Sequence, residues 1–445
     1  MIQFCCIVET DSMAGAARFL RADRAQLHWD LLDLESLLPA DHRARIVWQF
    51  VAGVDLSPLY EAIGSREGEA GRPPPDPAVL LALWLYATIE GVGSARQLEK
   101  LCGRDVAYRW LAGGVPLNYH GLADFRVDRG EILDRLLSES VTALMAEGLV
   151  TLGEIAVDGT KVRANAGKHS FKSAEKLVEI EAAVRARMAA LRAEIERDPE
   201  ASSRRQRAAQ ERATREVAER ARKARAALAQ LQKEKAERSK KHAKAEAKKS
   251  EPRASLTDCE ARLMRFADGA VRPAYNAQIA AAPRQGIIVS VAMTDRRNDS
   301  GLALPMVDDI VRRYGAAPKT LLADTHYATR DDIVALAAHA AGTVEVIAPP
   351  PPERTRVKPE TLARRERARA REPEALQQWR QRMQSDAGKD SYRTRKLIER
   401  LNADTKNRGF DRLPVRGLIK AKAIALWYAL ANNLMAAHRL RMAVA

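Results

Sequence analysis

The spacing of apolar residues changes character twice along this chain, and each change marks a different kind of structure. From Trp29 to Ile63 the pattern is helical, with Pro39 and Asp41 punctuating two helices. The run GRPPPDP (71–77) is a stiff turn in which Asp76 can cap the next helix and Pro77 suits its first position. That helix, AVLLALWLYATIEG, is apolar on most faces, which predicts burial. SARQLEKLCGRDVAYRWLAGG then reads as two short amphipathic helices closed by Gly113 and Gly114. Residues 21–150 are therefore expected to form an all-α N-terminal domain, preceded by an extension at 1–20.

At Gly153 the period drops to two. EIAVDGTKVRA alternates apolar and polar positions around branched side chains, a strand signal. Residues 173–257 return to helical spacing with heavy charge. Leu177, Ile180, Val184, Met188, Leu191 and Ile195 make one narrow stripe, Asp198 and Pro199 break it, and Val217, Ala221, Ala224, Leu228 and Leu231 make a second. Two stripes about a break predict an inserted antiparallel helical hairpin or coiled coil, its far end a solvated basic run, SKKHAKAEAKKS. Strands resume at 274–282 and 286–294, joined by PRQG as a hairpin turn. A helix at 301–315, the strand KTLLAD, the helix TRDDIVALAAHAA and the strand VEVIA follow. The order β-β-β-α-β-α-β predicts a mixed α/β sheet built from 151–172 and 258–440. A proline-rich, charged insertion at 349–390 interrupts it before a polar-striped helix and a last apolar helix, AIALWYALANNLM.

Composition narrows the function. A length of 445 residues allows two or three domains, and a net charge of +16 favours a polyanionic partner, nucleic acid before an anionic membrane surface. The longest apolar run, Ala78 to Ile89, is too short to span a bilayer, and MIQFCCIVETDSM lacks the basic start of a signal peptide. Cys5, Cys6, Cys102 and Cys259 form no CxxC pair, so a reduced, cytoplasmic chain without structural zinc is expected. No Walker or HExxH signature is present.

Candidate chemistry lies in three carboxylates. Tyr392, Arg395, Glu399 and Lys406 are spaced by three, four and seven residues, which puts them on one polar stripe of a single helix. Asp158 sits in the first strand of the sheet and Asp324 at the end of a later one. Two strand acids and a helix acid can converge at one sheet edge, where hard Mg²⁺ or Mn²⁺ takes oxygen ligands. Two such ions can activate a water or 3′-hydroxyl and stabilise the leaving oxygen of an in-line phosphoryl displacement. The plainer alternatives are that each aspartate forms a turn or caps a helix, as Asp324 could for the helix after it, and that the stripe is a solvated face. His169 and His326 form no visible metal cluster, Trp84, Trp110 and Trp427 fall in apolar helices as core, and Lys161 and Arg163 serve either DNA or solvent.

On these residues the chain resembles the DDE-class transposases of bacterial insertion sequences, whose catalytic domain has an RNase H-like fold. Tyr392-x2-Arg395-x3-Glu399-x6-Lys406 matches their Tyr-Arg-Glu-Lys signature, and DGTKVRANA (158–166) and LLADTHY resemble the segments around their two aspartates. GRPPPDPAVLLALWLYATIEGVGSARQLEKLCGRDVAYRWLAGG resembles their N-terminal helical domain and NRGFDRLPVRGLIKAKAIALWYALANNL their C-terminal block, so the likeness covers most of 25–440. The resemblance implies that Asp158, Asp324 and Glu399 are metal ligands for two Mg²⁺ or Mn²⁺ ions. It implies that Tyr392, Arg395 and Lys406 contact DNA phosphates near the cleaved bond. The implied partners are the terminal inverted repeats and target in double-stranded DNA, bound by a homo-oligomer in the cytoplasm at the nucleoid. The chain departs from the pattern at His326, where the family often has Gly, and in its long helical insertion. Competing readings are a catalytically degenerate or repurposed DNA-binding protein and an RNase H-like nuclease of other specificity.

Overall fold

The structure, a computed structural model, describes residues 33–65, 73–197, 203–241, 251–351 and 359–444. The extension at 1–20, Cys5, Cys6, the Asp198–Pro199 break and the basic tip beyond residue 241 lie outside the described residues.

Before the first strand come α1 (Arg43–Ala52), α2 (Ser57–Glu61), α3 (Pro77–Ile89), α4 (Ala95–Arg104), α5 (Val106–Ala112), α6 (Tyr119–Asp128) and α7 (Gly130–Ala146). The expected cap is in place: Asp76 accepts from the Ala78 amide at 2.8 Å, with Pro77 at the first helical position. Every residue of α3 except Ala78 is buried. Trp84 lies in it with no exposed surface, its indole donating to the Leu122 carbonyl at 2.9 Å. Trp427 is equally buried and donates to the Arg126 carbonyl at 2.9 Å. Both are core side chains, each contributing roughly 4–6 kcal/mol of transfer free energy as an upper bound. Trp110 is half-buried and donates to Glu35 at 3.1 Å.

The sheet contains β1 (Glu154–Arg163), β4 (Arg262–Arg265), β5 (Val271–Ala282), β6 (Ile287–Thr294), β7 (Thr320–Leu322) and β8 (Glu345–Ile347). Its order is β6-β5-β1-β7-β8, with β4 pairing the first part of β5. β5 is antiparallel to both of its neighbours, β1 and β6, and β1-β7 and β7-β8 are parallel. The turn between β5 and β6 ends on Gly286 at φ +68°, which is why the PRQG sequence closes a hairpin there. A small β2 (Phe171–Lys172) and β3 (Ala254–Ser255) pair at the base of the insertion, α8 (Ala174–Arg197) and α9 (Arg204–Lys241). These two helices lie against each other through Leu177, Ala224 and Leu228, with Arg225 paired to Glu181 across them at 2.8 Å. Val217, expected in the second stripe, is instead 38% exposed.

The remaining helices are α10 (Ala303–Tyr314), α11 (Arg330–Ala337), α12 (Pro359–Ala370), α13 (Glu374–Gln384), α14 (Asp386–Thr394), α15 (Lys396–Asn407) and α16 (Leu418–Val444). The 349–390 segment does more than interrupt the sheet. It supplies α13, whose buried Trp379 donates to the Ala348 carbonyl at 3.0 Å just past β8. The N-terminal helices share packing with the rest of the chain. α16 packs on α3, α6, α7 and β6, and one apolar cluster runs from Leu38 to Ala437 across helices and sheet. No helix among the described residues is long and apolar enough to cross a membrane.

Candidate active site

Sheet register brings the two aspartates together. The β1–β7 ladder ends at the pair Ala156–Leu322, and Asp158 and Asp324 each stand two residues beyond it. Parallel neighbours lie about 4.8 Å apart, so the two acids leave the same edge of adjacent chain segments. Asp324 does not cap α11, whose N-cap is Thr329. Its Oδ1 instead accepts from the amides of His326, at 2.8 Å, and Tyr327, at 3.1 Å, and so shapes the turn that follows β7. His326 stands at the rim, its side chain 72% exposed and its ring 3.4 Å from Asp324 Oδ2.

The third acid arrives on a helix pair rather than on one helix. α14 and α15 abut at Arg395, where Arg395 N–Tyr392 O and Ile398 N–Arg395 O bonds of three-residue span, each 3.0 Å, replace the α pattern. This junction turns the Arg395 side chain inward, where it is 11% exposed, while Glu399 stays 56% exposed. Arg395 bridges the two acids: Nη2 lies 3.1 Å from Asp158 Oδ1 and Nη1 2.5 Å from Glu399 Oε1. Burial disfavours its charge, yet Asp158 and Glu399, among others, outweigh that and raise its pKa. Tyr392 is half-buried against the core. Lys406 is half-buried, with a pKa lowered by burial against the opposing pull of Asp158 and Asp411.

Asn402 was not legible as a site residue. One turn beyond Glu399, its Nδ2 donates to Asp158 Oδ2 at 2.8 Å. Both oxygens of Asp158 are thus held. Burial nevertheless pushes its pKa up, and the nearby charges of Asp324 and Asp299 add to this against Arg395 and Asn402. A carboxylate that is costly to keep charged in this setting is one that gains from a cation nearby.

Asp299 is the second residue that sequence reasoning missed. It lies between β6 and α10, and its Oδ1 accepts from Asn276 Nδ2 at 2.7 Å and Gln278 Nε2 at 2.8 Å. Gln278 is the register partner of Gly159, and its Oε1 accepts from the fully buried Tyr327 hydroxyl. A chain of hydrogen bonds therefore runs from Asp299 through Gln278 to Tyr327 and Asp324. Gly159 makes room for it: a methyl group there would overlap Asp299 Oδ1 and lie 2.7 Å from its Cγ. Glycine after Asp158 was the available signal, but it does not say which distant side chain fills the gap.

Two residues considered for DNA contact have partners inside the protein. Lys161 donates to the Arg265 carbonyl at 2.6 Å, and Arg163 pairs with Asp411. Cys102 and Cys259 are free thiols, and His169 lies on an exposed turn. Among the described residues no group of three or more His, Cys, Asp or Glu side chains stands ready to hold a metal. The donor chemistry still fits one. Asp158, Asp324 and Glu399 offer carboxylate oxygen, the ligand of hard divalent ions, and the single Arg395 cation offsets only part of the negative charge of Asp158 and Glu399.

The family model described as a transposase DDE domain matches residues 260–434, and that described as a transposase domain (DUF772) matches residues 32–128. Comparison with curated proteins and with solved structures returned no match. Both matches support a DDE-type transposase, and the first implies an RNase H-like fold for the mixed sheet. Asp324, Tyr392, Arg395, Glu399 and Lys406 fall within the first match, and Asp158 lies between the two.

Proposed function

We propose that this chain is a DNA transposase that binds the terminal inverted repeats of its element, cuts to expose a 3′-hydroxyl and joins that hydroxyl to target DNA. The observation that supports this reading is the register that sets Asp158 in β1 level with Asp324 past β7, with Arg395 linking Asp158 to Glu399 on the helix, in a chain with two transposase-domain matches. Asp158, Asp324 and Glu399 would hold divalent ions, Mg²⁺ or Mn²⁺ and two in number. When bound, these would activate the attacking oxygen and stabilise the leaving one.

The protein's own groups do the remaining work. Asn402 and the 326–327 amides hold Asp158 and Asp324 in place, which reduces the reorganisation needed at the moment of reaction. Arg395 presents a planar fork of donors and Lys406 a point charge, and both suit a phosphate oxygen at the scissile position. Tyr392 supplies a hydroxyl beside them. In the absence of DNA, Arg395 offsets part of the negative charge of Asp158 and Glu399 and so reduces their repulsion. Synapsis of two element ends implies a homo-oligomer on DNA, working in the cytoplasm at the nucleoid.

The test is a cleavage and strand-transfer assay on supercoiled DNA carrying the element ends, with Mg²⁺ or Mn²⁺. Asp158→Asn, Asp324→Asn and Glu399→Gln should each abolish strand cleavage while end binding persists. A variant that cuts at the normal rate removes its residue from the site. Cleavage without joining favours an RNase H-like nuclease, and binding with neither favours a degenerate DNA-binding protein.

A further inference from the structure

Arg126 is buried with no carboxylate partner among the described residues. It belongs to α6, is 5% exposed, and its guanidinium lies 4.4 Å above the ring of Trp84. Nη1 donates to the Gly93 carbonyl at 2.5 Å, and Nε is buried with no partner. A buried cation is ordinarily met by an acid, because a neutral carbonyl and an aromatic face return only part of the lost hydration. The backbone carbonyl of the same residue accepts from the Trp427 indole, which ties this stretch of α6 to α16.

The guanidinium borders a cavity of about 260 Å³. Its wall combines Gly93 and Arg126 from the N-terminal helices with Asn165, Arg412 and Tyr428 from the sheet side and α16. No acidic side chain among the described residues lines it. Arg412 is exposed, and its backbone is fixed where Arg163 N bonds Asp411 O at 2.9 Å and Leu413 N bonds Arg163 O at 2.8 Å. Asp411, the adjacent acid, is engaged by Arg163. The cavity thus offers one buried and one exposed guanidinium with no negative charge of its own. It opens beside the end of β1, seven residues past Asp158, hence at most about 23 Å from it along an extended chain.

We propose that the Arg126 cavity is an oxyanion subsite that takes a phosphate group, supplied in the working protein by the backbone of duplex DNA. Two planar forks suit tetrahedral phosphate oxygens, and the space admits such a group with water around it. A phosphate there would fix DNA across the seam between the segments of the two matched domains. The DNA source rests on the transposase reading, whereas the oxyanion chemistry does not.

Two measurements decide it. The first is the melting temperature in inorganic phosphate against sodium chloride of equal ionic strength. Phosphate should raise it by about 1–3 °C at tenfold excess over its Kd in the unaltered protein, and should lose most of that effect in Arg126→Met and Arg412→Ala. No phosphate-specific rise, or a rise kept in both variants, overturns the subsite. If Arg126→Met does not fold, Arg412→Ala decides, since that side chain is exposed. The second is the salt dependence of binding to a 30-base-pair duplex, where loss of one phosphate contact should flatten the log–log slope by about 0.9. Phosphate stabilisation with an unchanged slope overturns DNA as the source. Failure of the unaltered protein to bind any duplex sinks the transposase reading and leaves the oxyanion subsite to the first measurement.

Discussion

Gly159→Ala tests how the site is braced. The added methyl would overlap Asp299 Oδ1 and lie 2.8 Å from Gln278 Nε2. Asp299 is short and can yield only by releasing the bonds it accepts from Asn276, at 2.7 Å, and Gln278, at 2.8 Å. Hydrogen bonds onto a charged acceptor contribute about 1.5–3 kcal/mol each, and partial relaxation would keep some of that. The expected loss is therefore about 2–4 kcal/mol, a large share of a stability of roughly 5–15 kcal/mol. Gln278 also accepts from Tyr327, whose amide bonds Asp324, so cleavage should fall with stability. Denaturant unfolding of Gly159→Ala, Asp299→Ala and the double variant measures the coupling. With the Asp299 side chain gone the methyl has space on that side, and its cost should drop below about 1 kcal/mol. A loss under about 0.5 kcal/mol in the single variant, or equal losses in both backgrounds, refutes the close-packing argument.

Three further outcomes are expected. Asn402→Ala removes the donor to Asp158 Oδ2 and should lower cleavage kcat/KM by roughly 5–30-fold, corresponding to about 1–2 kcal/mol, with DNA affinity unchanged; a rate within twofold of normal would show that Asp158 is held without it. Chelation by EDTA should stop cleavage and readdition of Mg²⁺ or Mn²⁺ restore it, and full activity in EDTA would eliminate the metal mechanism. Burial alone would raise the pKa of Asp309, but hydrogen bonds from Ser290, Arg313 and Arg312 outweigh it and hold the group below the ordinary range. Its stabilisation is present above the unfolded value of about 3.9 and is lost as pH falls through that value toward the folded one. Stability measured from pH 6 to pH 3 should therefore fall less steeply in Asp309→Asn than in the unaltered protein, and parallel curves would count against this role.

Local patterning made much of the fold legible. The buried α3, the alternation that becomes β1, the β5–β6 hairpin and the parallel β7 and β8 all follow from period, caps and turn residues, because these depend on neighbours within a few positions. Asp158 was legible as an acid within the first strand and Asp324 as one at the end of a later strand for the same reason, and the parallel pairing of those strands set the two level with each other. Helical spacing also placed Arg395 and Glu399 together, although it could not show that the helix breaks at Arg395 and aims that side chain at Asp158.

What tertiary structure alone decided are the contacts between distant segments. Asn402 reaches Asp158 across 244 positions, and Asp299 reaches Gln278 across 21. Val217 reads as core in the heptad but is exposed, and the charged 349–390 segment contains a helix that covers β8. Periodicity reports which face of an element avoids water and carries no information about which other face will cover it. Arg126 is the extreme case. It is one arginine among many in a basic sequence, and only the packing of α16 against the N-terminal helices buries it unpaired at the edge of a cavity.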